Sequence, residues 1–243
     1  VLLVGVQAAA ADSVTNYAGT ATDLANNAKA WTNPSNATGS STATYALSAS
    51  LKTSTFSVPQ LSNTLNLTNY GFSIPTGSTI NGITVSLYRS RTSTGTFSGS
   101  VADNTIRLLV GGVASGDNKA DAATIWPAPA SAAAATYGSS TDLWGLTPTV
   151  AQINGSNFGV TIVIESRDSF NSETGRVYYA AITVDYTPPT TTPTNTPTYT
   201  NTPTITPTNT KTTTVSPTNT PTSSPTITPT TQFVTRSPTC RAD

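Results

Sequence analysis

Ile83-Thr84-Val85-Ser86-Leu87 alternates apolar and polar residues without a break, and this run sets the fold class. Successive side chains of an extended strand point to opposite faces, so the run reads as a strand with one buried face and one wet face. Ile106-Arg107-Leu108-Leu109-Val110 and Val160-Thr161-Ile162-Val163-Ile164 repeat the signal. Residues 177–184 add a fourth strand rich in β-branched and aromatic side chains, and Leu61, Leu65 and Leu67 alternate with polar residues upstream. Turn residues separate these runs: Pro75-Thr76-Gly77, Gly111-Gly112, Gly116-Asp117-Asn118, Asn154-Gly155 and Thr174-Gly175. Only residues 17–31 and 131–137, rich in alanine, read as faintly helical. Many short strands with Gly/Pro punctuation predict an all-β body, a β-sandwich or jelly roll, over residues 12–186.

Several short motifs follow in order along that body: Trp31-Thr32-Asn33-Pro34, Tyr70-Gly71-Phe72-Ser73-Ile74-Pro75, Thr79-Ile80-Asn81-Gly82-Ile83-Thr84-Val85, Tyr137-Gly138, Asp142-Leu143-Trp144-Gly145, Asn157-Phe158-Gly159-Val160 and Ile182-Thr183-Val184-Asp185-Tyr186. Glycine beside a large apolar residue marks a turn or a close backbone approach. Trp31, Trp126 and Trp144 are candidate core anchors, since tryptophan gains most from burial. As a set, these motifs over residues 31–186 resemble a jelly-roll-like domain of bacterial surface and phage-associated proteins. The whole layout resembles pilus-like extracellular filament subunits from environmental bacteria. The resemblance implies an exported structural or adhesive module, and its motifs carry no catalytic residue.

Outside the body the pattern changes. Every even-numbered position of residues 190–230 is Thr or Ser, while the odd positions carry prolines, often four apart, with Asn, Ile, Tyr, Val and Lys211 among them. Proline excludes a helix interior and a central sheet strand, and biases the preceding residue toward extended dihedrals. An extended C-terminal ribbon of residues 187–243 follows, either β-like or polyproline II, with the 190–230 repeat spanning roughly 130 Å. Free in water it has too little apolar surface to offset its ordering entropy, so neighbouring subunits or covalent glycans are expected to order it. Thr194, Thr196, Thr198, Thr202, Thr204, Thr206, Thr208, Thr218, Thr220, Thr222, Thr226 and Thr228 are the O-glycosylation candidates. Tyr199, Ile205, Val215, Ile227, Phe233 and Val234 are candidate apolar pegs for assembly. A passive inter-module linker is the plainer alternative.

At the other end, Val1, Leu2, Leu3, Val4 and Val6 make a short apolar run that closes in four alanines. Residues 1–11 read equally as the remnant of a secretory signal or as a retained strand that completes a neighbour's sheet. The run is too short to span a bilayer.

Composition narrows the chemistry. Eleven basic and eleven acidic residues balance in 243, no basic patch stands out, and a nucleic-acid partner is not expected. With no histidine there is no Ser-His-Asp triad, no Cys-His pair and no imidazole ligand. Cys240 is the lone cysteine, so an intrachain disulfide is impossible; it is a free thiol or an intermolecular bridge. Glu165, Asp168 and Glu173 cluster in sequence, as do Asp117 and Asp121, but no spacing singles out a glycosidase pair. Asp117, Asn118 and Asp121 are weak calcium candidates. Asn36, Asn66 and Asn154 head N-glycosylation sequons.

The expectation from the sequence is therefore a non-enzymatic, cofactor-free, extracellular structural subunit that assembles with copies of itself and carries covalent glycans. The alternative is a carbohydrate-binding or adhesin module on a glycosylated stalk, with Tyr88, Trp126, Tyr137 and Trp144 as its stacking strip. An accessory domain of a secreted hydrolase is the third reading.

Overall fold

A computed structural model describes residues 9–55, 57–94 and 100–190. The body they form is all-β: twelve strands in two antiparallel six-stranded sheets, face to face as a sandwich. The strands, in chain order, are β1 (Asp12–Tyr17), β2 (Thr20–Leu24), β3 (Trp31–Thr32), β4 (Ala46–Ser48), β5 (Gln60–Leu61), β6 (Thr64–Thr68), β7 (Thr79–Ser93), β8 (Ala102–Val110), β9 (Val113–Ser115), β10 (Ala133–Ser139), β11 (Gly159–Ser166) and β12 (Glu173–Thr187). The helical content is two 3-10 turns and α1 (Val150–Ile153). That short helix exists because Thr149 and Gln152 cap each other reciprocally, the hydroxyl taking the Gln152 N–H and the amide oxygen the Thr149 N–H. Among the described residues no helix is long and apolar enough to cross a membrane.

Sheet A runs β10-β7-β12-β4-β3, and β1 pairs with the C-terminal half of β12. Sheet B runs β2-β6-β11-β8-β9, and β5 pairs with the end of β11. Each sheet is thus built on one long pair, β7 with β12 and β8 with β11. The alternation in the sequence carries over to the packing. Ile83, Val85 and Leu87 face the core with Ile182 and Val184 on sheet A, against Leu65, Leu67, Ile106, Leu108, Val160 and Ile162 from sheet B. The β8–β9 hairpin turns through Gly111 and Gly112, whose φ values of 63° and 82° are those a tight two-residue hairpin requires.

Two expectations of helix fail. The alanine-rich segment 131–137 contains β10, paired with β7 from Ala133 opposite Arg89 to Ser139 opposite Ile83. Residues 17–31 contain β2, paired with β6. In both, an intrinsic helix preference of tenths of a kcal/mol per alanine yields to a sheet edge offering a hydrogen bond at alternate residues.

Candidate functional site

The aromatic residues divide between the core and one surface. Trp31, Trp126 and Trp144 are buried, and each indole N–H has an acceptor: the Asn63 carbonyl, the Asp103 carboxylate and the Ile83 carbonyl, all at 2.8 Å. Tyr137 is buried as well, its hydroxyl bonded to Asp103 Oδ2 at 2.8 Å. Three of the four residues expected to form a sugar-stacking strip, Trp126, Tyr137 and Trp144, are therefore core anchors. Large apolar bodies with a single polar tip pack inside when a partner meets that tip.

These anchors surround a charged core. Arg89 on β7 and Asp103 on β8 form an ion pair between the two sheets, both nearly inaccessible to water. Asp103 also accepts from Trp126 and Tyr137 and, at 3.2 Å, from the Asp121 backbone N–H, so its oxygens are fully engaged. The Arg89 guanidinium lies 5.0 Å from the Trp126 ring centroid. Burial raises the Tyr137 hydroxyl far above its ordinary pKa, with the Asp103 charge acting the same way, so it stays protonated as a donor. This network ties the sheets together and is closed to a ligand.

Several motif residues meet at one corner of the sandwich. Trp144 adopts a left-handed conformation, φ 59°, fixed by the bond from its N–H to Asp142 Oδ1 at 2.8 Å. Its indole lies against Gly138 and the Ile83 carbonyl, where a side chain at 138 would collide with both. A Cβ at Gly82 would fall on the backbone of Ser140 and Thr141. The Tyr-Gly, Asp-Leu-Trp-Gly and Gly-Ile motifs thus describe one tightly folded corner.

Tyr88, the fourth candidate, lies on the outward face of sheet A, in a cluster of five of the chain's nine tyrosines. Its ring stacks on Tyr179 directly across from it on β12, centroids 5.3 Å apart and planes 20° apart. Tyr17 on β1 meets Tyr179 edge-on at 5.4 Å, and Tyr178 meets both Tyr88 and Tyr45 edge-on. The Arg176 guanidinium lies 4.5 Å over Tyr45. Tyr178 is buried, its hydroxyl 3.1 Å from Ser90 Oγ, while Tyr17 is 40% exposed. Cross-strand aromatic pairs of this kind contribute roughly 0.2–1 kcal/mol each. Around the rings the same face carries hydroxyls: Thr15 and Thr183 meet at 2.7 Å, and Thr92 and Thr174 at 2.5 Å.

Tyr17, Tyr45, Tyr178 and Tyr179 are not legible in the sequence as a set. The Tyr178-Tyr179 pair is the one local signal, and strict alternation would send its two rings to opposite faces. A register shift between Val177 and Tyr179 bulges β12, so both rings reach Tyr88.

The carboxylates serve the framework. Asn118 binds the Ile106 N–H and the Asn104 carbonyl across β8, and Asp121 accepts from the Ala123 and Thr124 N–H groups and the Thr124 hydroxyl. Asp117 sits 3.4 Å from Lys119. The described residues include no group of three or more His, Cys, Asp or Glu side chains arranged to hold a metal. Glu165 pairs with Arg167 at 2.8 Å, Asp168 is ringed by the N–H groups of Phe170 and Asn171, and Glu173 takes the Ser100 N–H. Of the sequon asparagines, Asn154 is committed on both amide atoms to the Ile74 backbone.

Val1, Leu2, Leu3, Val4 and Val6, the tail pegs from Tyr199 to Val234, the tail threonines and Cys240 all lie outside the described residues. What is described is where the chain enters and leaves the body. Asp12 pairs with Tyr186 across β1 and β12, and the Tyr186 hydroxyl donates to Asp12 Oδ2 at 3.0 Å. No family model matches the chain, and neither a curated protein nor a solved structure matches it.

Proposed function

We propose that the protein is a non-enzymatic structural subunit of an extracellular filament, a jelly-roll body joined to its neighbours through its terminal segments. The jelly-roll reading rests on four antiparallel pairs: β1 with β12, β6 with β11, β7 with β10 and β8 with β9. One long hairpin, with arms β1-β6-β7-β8 and β9-β10-β11-β12, gives these pairs when rolled into two sheets, and β2 to β5 are additions at the margins.

The observation that carries the filament reading is the junction of Asp12 with Tyr186. It brings the first and last strands of the described body together at one end of sheet A, where β1, among the described residues, pairs with β12 on one side and with no strand on the other. An open edge accepts an added strand, and a contact between unlike surfaces propagates instead of closing. The Thr/Ser row of residues 190–230 supplies hydroxyls for O-linked sugars, which stiffen an extended chain.

The test is a chain ending at Thr190, compared with the full chain by negative-stain microscopy and sedimentation. The full chain is expected to form fibres and the shortened chain to stay a folded monomer. Fibres of normal length from the shortened chain would refute the role of the tail. Intact-mass measurement of the native material reads the glycans directly.

A further inference from the structure

An exposed strand edge presents unpaired N–H and C=O groups, and folded proteins ordinarily keep such edges short, charged or covered. Among the described strands most edges comply. β3 and β5 have two residues each and β9 three, β2 carries Asp23, and Asn118 covers β8 at the Asn104 carbonyl and the Ile106 N–H. β10 and β1 do not comply. Ala133–Ser139 has neither a charge nor a proline, and Asp12–Tyr17 has one charge, Asp12, bonded to the Tyr186 hydroxyl. Ala133, Ala134, Thr136 and Ser139 are exposed on one strand, and Ser13, Thr15 and Tyr17 on the other. The two strands bound sheet A on opposite sides, since among the described residues β10 pairs with β7 alone and β1 with β12 alone. Outside the ladders, no backbone–backbone hydrogen bond among the described residues reaches Asp12–Tyr17 or residues 133–138.

The two edges also match each other. Rows of directly opposed residues cross the sheet from one to the other: Val14–Val184–Ile83–Ser139, Thr15–Thr183–Thr84–Gly138, Asn16–Ile182–Val85–Tyr137 and Tyr17–Ala181–Ser86–Thr136. Both edges therefore stand at the same height on the sheet, and neither register shift of β12 falls within these rows. Three antiparallel pairs separate β1 from β10, so the two strands run in opposite directions. A second copy set beside the first in the same orientation brings its β1 antiparallel to the first copy's β10. The hydrogen-bond phase agrees as well. Bonded and non-bonded pairs alternate along a row, so in a row of four the two end residues turn their N–H and C=O groups outward together or inward together. Directly opposed residues share a face of the sheet, so Tyr17 would meet Thr136 on the outer face and Asn16 would meet Tyr137 on the inner one. No residue of the four rows is charged, so nothing in them repels the pairing.

We propose that β1 of one copy pairs antiparallel with β10 of the next, so that sheet A continues from subunit to subunit. This inference rests on the filament reading and names the partner of the unpaired β1 edge. The contact joins unlike surfaces and does not close on itself. Each strand pair twists by about 20–25°, so four pairs turn successive copies by roughly 80–100° and wind the row into a helix. Four residues a side fall far short of the roughly 20–30 of a stable interface. The edges therefore orient neighbours that the terminal segments hold together, and a chain ending at Thr190 stays monomeric. The competing occupant of either edge is the Thr/Pro segment of residues 190–230, which would keep β1 and β10 of neighbouring copies apart.

The experiment is disulfide trapping in fibres of the full chain, with Cys240→Ser throughout to remove the native thiol. Tyr17→Cys and Thr136→Cys copies are mixed in equal amounts, assembled, oxidised and run on a non-reducing gel. Opposed residues of an antiparallel pair have Cα atoms about 4.5–5.5 Å apart, within reach of a disulfide. In a head-to-tail row about half of the copies of each kind meet a complementary neighbour, so about half of the chains are expected as covalent dimers. Either variant assembled alone should give none. Val14→Cys mixed with Ser139→Cys repeats the test three rows along, and negative-stain images check that each mixture forms fibres. Fibres without mixed disulfides at both rows overturn the proposal and leave the filament reading standing, as would occupation of the edges by the Thr/Pro segment. Dimers from Tyr17→Cys alone or from Thr136→Cys alone overturn it too, since like edges would then be paired. A parent chain that forms no fibres removes this inference together with the filament reading.

Discussion

Asp103 and Lys119 each hold an opposite charge, and their surroundings set very different consequences for losing it. Asp103 is sealed between the sheets with Arg89, Trp126 and Tyr137 as partners. Asp103→Ala would strand a guanidinium in the core, and removing one partner of a buried pair costs about 3–5 kcal/mol. Lys119 meets Asp142 at 2.9 Å in a partly exposed bridge, so Lys119→Ala should cost less than about 1 kcal/mol. Urea midpoints of the two variants against the parent test the contrast. The surface bridge also has a pH signature. The Lys119 ammonium beside Asp142, together with the Trp144 N–H, holds the Asp142 carboxyl below the ordinary carboxylate range, and the same contact raises Lys119 above its usual value. A lowered carboxyl pKa stabilises above the unfolded value, and that contribution disappears as pH falls through the folded one. A raised ammonium pKa stabilises below the unfolded value, and its contribution disappears as pH rises through the folded one. The difference in midpoint between the parent and Asp142→Asn should thus be flat from about pH 5 to about pH 9 and shrink at both extremes.

Elements show which parts of the fold a sequence can carry. The strands with unbroken alternation, such as Ile83 to Leu87 inside β7 and Val160 to Ile164 inside β11, were legible because one buried face imposes a period of two. Residues 133–139 were not, because alanine has no strand signal of its own. They are held by β7, more than forty residues earlier in the chain, and by the inward Tyr137. The outward tyrosines escaped for a similar reason: a bulge in β12 assembles them, and a bulge leaves no mark in the order of residues. Gly82 was legible as a close approach but not its partner, the backbone at Ser140. That partner is main chain and cannot rotate away, so Gly82→Ala should destabilise by about 1–3 kcal/mol or more by forcing β7 off the Ser140 turn. Thermal unfolding followed by tryptophan emission would detect it, and a midpoint equal to the parent's would show that the corner yields freely.

At the scale of the molecule, the chain's first strand waits for its last. Among the described residues β1 pairs only with β12, so Asp12 finds Tyr186 across nearly the whole body, and β7 spends its full length against the same late strand. β12 is also where β4 attaches, which makes it the spine of sheet A. No N-terminal portion can then complete that sheet alone. A chain ending at Ser172 should remain unfolded, whereas one ending at Thr190 should unfold at the same urea midpoint as the full chain, because it keeps all twelve described strands, from Asp12 to Thr187. Contacts this distant in sequence also make folding slow, since loop closure precedes the pairing that rewards it; refolding should fall in the millisecond-to-second range typical of β-sandwiches. Stopped-flow tryptophan fluorescence is suited to the measurement, because Trp31, Trp126 and Trp144 all become buried in the body. Submillisecond refolding, or a cooperative transition from the chain ending at Ser172, would mean that β12 docks onto a sandwich already formed and is not its spine.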